Sequence, residues 1–262
     1  MSTITRVEVI AFRFPLKDMS LGDHSATGVG NVIYKAYGCA EAERFAVRIS
    51  CDDGTCGEYV THWVGTPSTF GQTKMLCPHL LGRDPEQRQL IFDDLKREIR
   101  AYDHMGHGPL DIALWDLAGK KYNTSVSKLL GGFRTTIPTY ASTYHGQEEK
   151  GGLDSPEAFA EYAVACQEMG FTGFKIHGWH NGDAKREART VLEVRKRVGD
   201  GMSLMTDPGC QLRTYMDALE VGRACVEAHC FWDEVPSGDD GISITGKRRL
   251  RDLLRRPVGG CV

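Results

Sequence analysis

From Thr136 onward the sequence alternates regularly between short apolar segments and helical segments, and this alternation limits the folds that are open to the chain. Four segments have the length and pattern of strands, at 137–143, 173–177, 202–207 and 230–234. Helical spacing follows each of them, at 156–169, 184–198, 212–228 and about 243–254. Repeated strand-helix-strand units are typical of parallel sheets with right-handed crossovers. The second half of the chain is therefore predicted to be an α/β domain.

The first half of the chain shows a different pattern. Residues 4–14 alternate like a strand, and 45–59 reads as two short strands around Asp52, Asp53 and Gly54, which is a hairpin signal. Helical spacing follows at about 68–79, 85–99, 108–122 and 125–130. The Gly-rich stretch 21–31 is predicted to be a mobile loop. We therefore expect two domains, an α+β domain at 1–132 and a β/α domain at 133–262.

Charge and cysteine content exclude several classes of function. The 32 basic and 35 acidic side chains nearly balance, so the chain has no broad positive field for nucleic acid or anionic lipid. No apolar run approaches the roughly 20 residues that span a bilayer, and charges interrupt the first 14 residues. Nine scattered cysteines without a C-x-x-C pair indicate reduced thiols. We expect a cytoplasmic protein without nucleic-acid or membrane partners.

Polar side chains with catalytic potential follow the predicted strands at their carboxyl ends, where parallel sheets carry their chemistry. Asp207 and Glu234 are 27 residues apart, which is one strand-helix repeat, so they are expected to lie side by side. Two carboxylates on neighbouring strands suit Mg²⁺. The alternative for Asp207 is a structural role. It precedes Pro208 and Gly209, so it is placed to cap a helix that starts near Leu212.

Two further candidates lie on the predicted strand at 173–177. Lys175 and His177 are two positions apart, so their side chains point to the same side of the sheet. A buried lysine is costly, which favours a functional role for Lys175. A lone histidine such as His177 is more often a structural residue than a base. Asp111 and Asp116 are five positions apart and do not share a helix face, so we interpret them as structural, with Asp116 paired to Lys120.

Five sequence runs occur in a fixed order along the chain: GPLDIALWDLAGKKY, LLGG, GFTGFKIH, LMTDPG and FWDEVP. With them the sequence resembles the mandelate racemase/muconate lactonizing enzyme family of the enolase superfamily. The resemblance implies an α+β capping domain at 1–132 and a partial (β/α) TIM-type barrel at 133–262. It also implies that the loop at 21–31 closes the active site and helps to select the substrate.

The resemblance implies a role for each of the four candidate residues. Asp207 and Glu234 match the metal ligands of the third and fourth barrel strands, so the implied cofactor is Mg²⁺. Lys175 matches the first lysine of the family's K-x-K pattern, and His177 replaces the second, the usual proton abstractor; a histidine is suited to the same task near neutral pH. The implied reaction removes the proton α to a carboxylate, in an acid-sugar dehydratase or a racemase or isomerase.

The length of the chain indicates an alternative to an active enzyme. A complete (β/α)₈ barrel takes about 250 residues, whereas 127 residues follow Thr135. About four barrel strands are expected, with the start of a fifth at Pro257 and Val258, and the family's third ligand and opposing His-Asp pair have no counterpart. The alternative expectation is a catalytically inactive truncated fragment, a ligand-binding or assembly remnant without Mg²⁺-dependent turnover. The expected partners are a small carboxylate such as an acid sugar and further copies in a homo-oligomer.

Overall fold

The computed structural model describes residues 2–21, 32–62, 66–102, 104–234, 244–255 and 258–259. The chain divides into two compact units, one formed by Met1–Pro15 with Glu41–Ile137 and the other by Leu16–Ala40 with Pro138–Val262. The proposed domain boundary after residue 132 lies five residues before the division at Ile137, whereas Leu16–Ala40 groups with the second unit rather than the first. The loop predicted at 21–31 lies, except for Leu21, outside the described residues.

A three-stranded sheet has the order β1-β2-β3, with β1 at Ile4–Leu21, β2 at Val32–Cys51 and β3 at Cys56–Val60. β2 and β3 pair antiparallel, and Ser50 opposite Cys56 closes the hairpin predicted around Asp52–Gly54. Four α-helices follow in the described residues, namely α1 (Thr66–Leu76), α2 (Arg88–Glu98), α3 (Gly108–Lys121) and α4 (Val126–Leu129), with a short 3-10 helix at Cys77–Leu80 after α1. β1 is longer than predicted. It was expected to end at residue 14, but it extends to Leu21.

The predicted helix at 108–122 is confirmed as α3, and it packs on β3. The two elements approach closely at Gly57, where an added Cβ would lie 2.0 Å from the carbonyl oxygen of Ala113. Asp116 accepts a hydrogen bond from the backbone of Glu58 at 2.7 Å and pairs with Lys120 at 2.8 Å. Both contacts are structural, which agrees with the interpretation of Asp116 from sequence.

The second unit contains the predicted parallel sheet, which has the order β4-β5-β6-β7-β8. The strands are β4 (Ala141–Ser142), β5 (Gly173–Ile176), β6 (Ser203–Thr206), β7 (Trp232–Glu234) and β8 (Val258–Gly259). The helices between them are α5 (Pro156–Glu168), α6 (Ala184–Val198), α7 (Tyr215–Glu227) and α8 (Ile244–Leu254). Neighbours in sequence are neighbours in the sheet, which is the arrangement of a (β/α) barrel wall.

Two elements of this unit differ from their predicted bounds. The first strand was predicted at 137–143, but only Ala141 and Ser142 form a ladder, with Phe174 and Lys175 of β5. The third helix was predicted from residue 212, but α7 begins at Tyr215, because Thr214 and Asp217 form a capping box at its N-terminus. Both differences shift element ends only and leave the order of strands and helices unchanged.

The core of the second unit lies between the sheet and its helices. Phe159, Phe174 and Trp179 are among its fully buried side chains. Because side chains alternate along a strand, Phe174 and Ile176 face these helices, and Lys175 faces the other side of the sheet. The eight cysteines within the described ranges are free thiols, as predicted. Every helix of the described part of the chain is too short or too polar to reach across a bilayer.

Candidate active site

The four sequence-predicted residues converge at the carboxyl ends of β5, β6 and β7. Lys175 lies on β5, and His177 follows directly after it. Asp207 follows β6, where its backbone N–H donates to Ile176 at 2.8 Å and so extends the ladder by one residue. Glu234 ends β7. The parallel register therefore brings together side chains that are up to 59 positions apart in sequence.

Lys175 is the central contact of the site. Its ammonium Nζ donates to Oδ2 of Asp207 at 3.2 Å and to Oε2 of Glu234 at 3.0 Å. Because both oxygens contact one nitrogen, they lie at most 6.2 Å from one another, which is the sum of those two distances. The ammonium also lies 5.6 Å from the ring centroid of Tyr140, within cation–π range. Lys175 is only 8% exposed, so this charge is held by its partners rather than by water.

His177 contacts the same carboxylate. Its Nε2 lies 3.1 Å from Oδ2 of Asp207, and its Nδ1 lies 3.4 Å from Oγ of Ser142. An ionised carboxylate only accepts hydrogen bonds, so Nε2 carries the proton in this pair and the lone pair of a neutral ring is on Nδ1. The backbone N–H of His177 donates to Oγ1 of Thr143 at 3.1 Å, which ties the ring's attachment point to the neighbouring strand.

The charges of the site stabilise one another. Burial lowers the pKa of Lys175, but the hydrogen bonds and charges of Glu234 and Asp207 outweigh burial, so the pKa is raised. Burial likewise raises the pKa of Asp207, and its contacts with His177 and Lys175 outweigh burial, so the pKa is lowered. Lysine and aspartate are therefore both ionised at neutral pH. The arrangement places a fixed positive charge and an imidazole N–H against the same carboxylate.

The alternative role for Asp207, as the cap of a helix starting near Leu212, is wrong. Its Oδ1 accepts from the backbone N–H of Gly209 at 3.1 Å, and the following helix is capped by Thr214 instead. Gly209 has a φ of +59°, and a Cβ there would lie 3.0 Å from the ring of His145. Glycine is needed at this position because both the positive φ and the close approach disfavour a side chain.

The end of the first barrel strand contributes residues that the sequence patterns did not predict. Ser142 and Thr143 contact His177, and the His145 ring lies edge-on to the His177 ring with centroids 5.6 Å apart. His145 is buried, which lowers its pKa to about 4, so it is a neutral neighbour. The available signal was the polar run at the end of the strand predicted at 137–143, which the parallel sheet brings next to β5.

The carboxylates of Asp207 and Glu234 fit two ligand positions of a Mg²⁺ site. Both supply hard oxygen donors, and both already contact one cation, the Lys175 ammonium. Within the described ranges, no three His, Cys, Asp or Glu side chains come together closely enough to hold a metal ion. The pair therefore matches the donor chemistry of Mg²⁺ but supplies only part of a coordination sphere.

Comparisons with known proteins agree on one family. Residues 33–131 match the family model described as mandelate racemase / muconate lactonizing enzyme, N-terminal domain. Residues 158–259 match the model described as enolase C-terminal domain-like. The two matches follow one another in the order in which the two structural types occur along this chain, a sheet with helices first and a parallel β/α sheet second.

The curated proteins and solved structures that are similar to this chain are named for related enzymes. A 3,6-anhydro-alpha-L-galactonate cycloisomerase of Streptomyces coelicolor is 29% identical over 228 residues, which cover 83% of this chain and 60% of that protein. An L-talarate/galactarate dehydratase of Salmonella typhimurium is 27% identical over 200 residues, covering 74% of this chain and 48% of that protein. The structure of a D-glucarate dehydratase of Agrobacterium tumefaciens complexed with magnesium superimposes with a TM-score of 0.81 at 27% identity, covering 98% of this chain and 66% of that one. The chain thus spans about half to two thirds of their length.

Proposed function

Because this chain belongs to the mandelate racemase/muconate lactonizing enzyme family of the enolase superfamily, we propose that it removes the proton α to the carboxylate of an acid sugar. Dehydration is the outcome we favour, and racemisation or cycloisomerisation starts from the same proton removal. The observation that supports this proposal is the convergence of Lys175 and His177 on Asp207, with Glu234 on the same ammonium. The relatives are dehydratases, cycloisomerases and racemases, and several are named for acid sugars.

The chemical difficulty of this reaction is the weak acidity of the α-proton. Its removal places negative charge on the substrate carboxylate, and a fixed positive charge at that position lowers the barrier. The Lys175 ammonium is suited to this task, because burial and two carboxylates hold it in place and its raised pKa keeps it charged. In our proposal Lys175 binds the substrate carboxylate and stabilises the charge that develops there.

His177 is the proposed base. Asp207 holds the Nε2 proton of the ring, and this leaves the lone pair on Nδ1, next to Ser142. A base must have a free lone pair aimed at the proton it removes. We propose that Nδ1 accepts the α-proton, while Asp207 orients the ring and stabilises the imidazolium that results.

Asp207 and Glu234 are the residues proposed to hold Mg²⁺. When bound, the ion would add positive charge beside the substrate carboxylate and so supplement the lysine. The setting that we propose is a cytoplasmic homo-oligomer with an acid-sugar substrate and no nucleic-acid or membrane partner.

Metal binding is tested first, with a readout that does not depend on turnover. Mn²⁺ replaces Mg²⁺ at oxygen ligands, and electron paramagnetic resonance measures its free and bound fractions. We expect the chain to bind Mn²⁺, and Asp207→Asn and Glu234→Gln each to weaken binding by about tenfold or more. Glu220→Gln, an exposed carboxylate on α7, is the matched control and should bind as the wild type does. Binding that is unchanged in both site variants would contradict the ligand assignment.

Catalysis is tested by exchange of the α-proton in D₂O. Galactarate and D-glucarate are incubated with the protein and Mg²⁺, and loss of the α-proton signal is followed by proton NMR. We expect His177→Asn to slow exchange by about 10² or more while leaving Mn²⁺ affinity within about threefold of the wild type. Exchange at the wild-type rate in His177→Asn would contradict the role of His177 as the base.

The alternative function, a non-catalytic ligand-binding or assembly remnant, predicts a different pattern in the same assays. The partial ligand set supports it, because no third metal ligand joins Asp207 and Glu234 among the described residues. It predicts weak Mn²⁺ binding that depends on both carboxylates, without any α-proton exchange by the 262-residue chain. Metal-dependent exchange by this chain would exclude the alternative.

A further inference from the structure

The ring of His145 is buried against the proposed base, His177. It is 4% exposed, and the two rings are nearly perpendicular, with an angle of 86° between their planes and 5.6 Å between their centroids. The Nδ1 atom of His145 is buried, and no group among the described residues forms a hydrogen bond with it. A buried nitrogen without a partner costs free energy. This cost favours a role for the ring in the site over a purely structural one.

Two hydrogen bonds hold His177, and they leave one motion of its ring open. The backbone N–H donates to Oγ1 of Thr143, and Nε2 contacts Oδ2 of Asp207, both at 3.1 Å. A ring held at its attachment point and at one nitrogen can still turn about the line through these two points. This turn changes the direction of the Nδ1 lone pair. The contact of Nδ1 with Oγ of Ser142 is long, at 3.4 Å, and it has to open when Nδ1 accepts the α-proton.

Backbone contacts on both sides fix the position of His145. Its carbonyl oxygen accepts from the backbone N–H of Tyr34 at 3.1 Å. The next residue, Gly146, donates its backbone N–H to the carbonyl oxygen of Gly178 at 2.8 Å, and Gly178 directly follows His177. The segment that carries the His145 ring is therefore paired with the segment that carries the base, so the two rings keep their relative position.

We propose that His145 is a positioning residue for the base. Its perpendicular ring fixes the plane of the His177 imidazole, so that Nδ1 keeps its direction while Nε2 stays on Asp207. This inference rests on the proposed function, in which His177 removes the α-proton. Proton transfer depends on the alignment of the lone pair with the proton. Loss of the His145 ring should therefore slow proton removal without weakening the binding of substrate or metal.

Three variants of the full chain separate the ring of His145 from its polar atoms. His145→Ala removes both, His145→Phe keeps an aromatic ring, and His145→Gln keeps hydrogen-bonding atoms without a ring. The matched control is Val194→Ala on α6. Val194 is fully buried in the core on the helix side of the sheet, so its truncation weakens the fold without removing a contact of His177. Circular dichroism confirms that each variant is folded.

The first measurement does not depend on turnover. Proton NMR of protein labelled with ¹⁵N-histidine detects the Nε2 proton of His177 while Asp207 holds it and slows its exchange with water, and loss of the signal in His177→Asn assigns it. We expect this signal in the wild type, in His145→Phe and in Val194→Ala. In His145→Ala and His145→Gln the ring turns away from Asp207, so the signal should broaden beyond detection.

The second measurement is the exchange of the α-proton of galactarate and D-glucarate in D₂O with Mg²⁺. We expect His145→Ala and His145→Gln to lower kcat by about tenfold, since an edge-to-face ring pair is lost and the base is misaligned. KM and Mn²⁺ affinity should stay within about threefold of the wild type. His145→Phe should keep kcat within about threefold of the wild type, because it restores the ring contact.

Several results would overturn the proposal. A wild-type Nε2 signal in His145→Ala would show that the ring of His177 does not depend on His145. Wild-type behaviour of His145→Gln together with loss in His145→Phe would assign the role to a hydrogen bond instead, and a raised KM with unchanged kcat would assign it to substrate binding. If the wild type itself shows no exchange, the proposed function fails, and the NMR comparison still decides the role of His145. If His145→Ala does not fold, His145→Phe and His145→Gln decide it.

Discussion

Replacing Glu187 with glutamine should change how the stability of this protein depends on pH. Glu187 lies on α6, is 2% exposed, and its Oε1 accepts a hydrogen bond from the backbone N–H of Trp179 at 2.5 Å. Burial raises the pKa of Glu187 from 4.5 to about 8, and the nearby Asp233 adds to the increase. The folded state therefore binds this proton more tightly than the unfolded chain does. Its contribution to stability is complete below the unfolded pKa and is lost as the pH rises toward the folded pKa.

The magnitude follows from the size of the pKa change. Each pKa unit corresponds to about 1.4 kcal/mol, so the contribution of Glu187 falls by about 5 kcal/mol in total between the two pKa values. Between pH 5.5 and 7.5, both within this window, the free energy of unfolding should fall by about 3 kcal/mol because of this group alone. Glutamine has nearly the same shape, keeps the oxygen that accepts from Trp179 and cannot ionise. Glu187→Gln should therefore remove this part of the pH dependence.

Urea unfolding at pH 5.5, 6.5 and 7.5, followed by circular dichroism, measures the effect. We expect the stability difference between Glu187→Gln and the wild type to shift by about 3 kcal/mol in favour of the variant across this range. Buried His145, with a pKa lowered to about 4, contributes equally to both proteins and cancels. Glu220→Gln, an exposed carboxylate, should keep the wild-type dependence. Parallel curves of stability against pH for Glu187→Gln and the wild type would show that Glu187 does not take up a proton on folding.

Three further predictions concern single residues. Lys175→Met should lower the free energy of unfolding by about 3 kcal/mol at pH 7, because two carboxylates lose their cation; the loss should shrink in acid as Asp207 protonates, measured by urea unfolding. Gly57→Ala should cost about 3 kcal/mol by forcing β3 away from α3, whereas Gly71→Ala, in open space on α1, should gain about 0.5–1 kcal/mol in thermal melts. Thr214→Ala should cost about 1 kcal/mol in the same melts, since it removes the cap of α7.

Local patterns in the sequence determined most of the second unit. The helix at 184–198 was predicted with the bounds that α6 has, because its polar and apolar positions follow the helical period and Asp183 caps its first turn. The parallel order of the strands followed from the strand-helix alternation alone. Strand ends were less predictable: the strand expected at 137–143 has two paired residues, because pairing depends on how far β5 extends beside it.

The sequence also placed the four candidate residues at strand ends, but it did not determine their contacts. Repeat spacing predicted that Asp207 and Glu234 are neighbours, and the structure adds that the Lys175 ammonium lies between them. The sequence patterns did not predict that Thr143 and His145 lie beside His177.

Local sequence patterns were sufficient to predict which residues stand at the ends of strands, because strand and helix periods are local properties of the chain. Which of those side chains meet depends on the folded chain, because hydrogen bonds and ion pairs require distances of about 3 Å between residues up to 59 positions apart. The surroundings of His177 are the clearest example. Ser142, Thr143 and His145 lie beside it, and no local pattern in the sequence predicts these contacts.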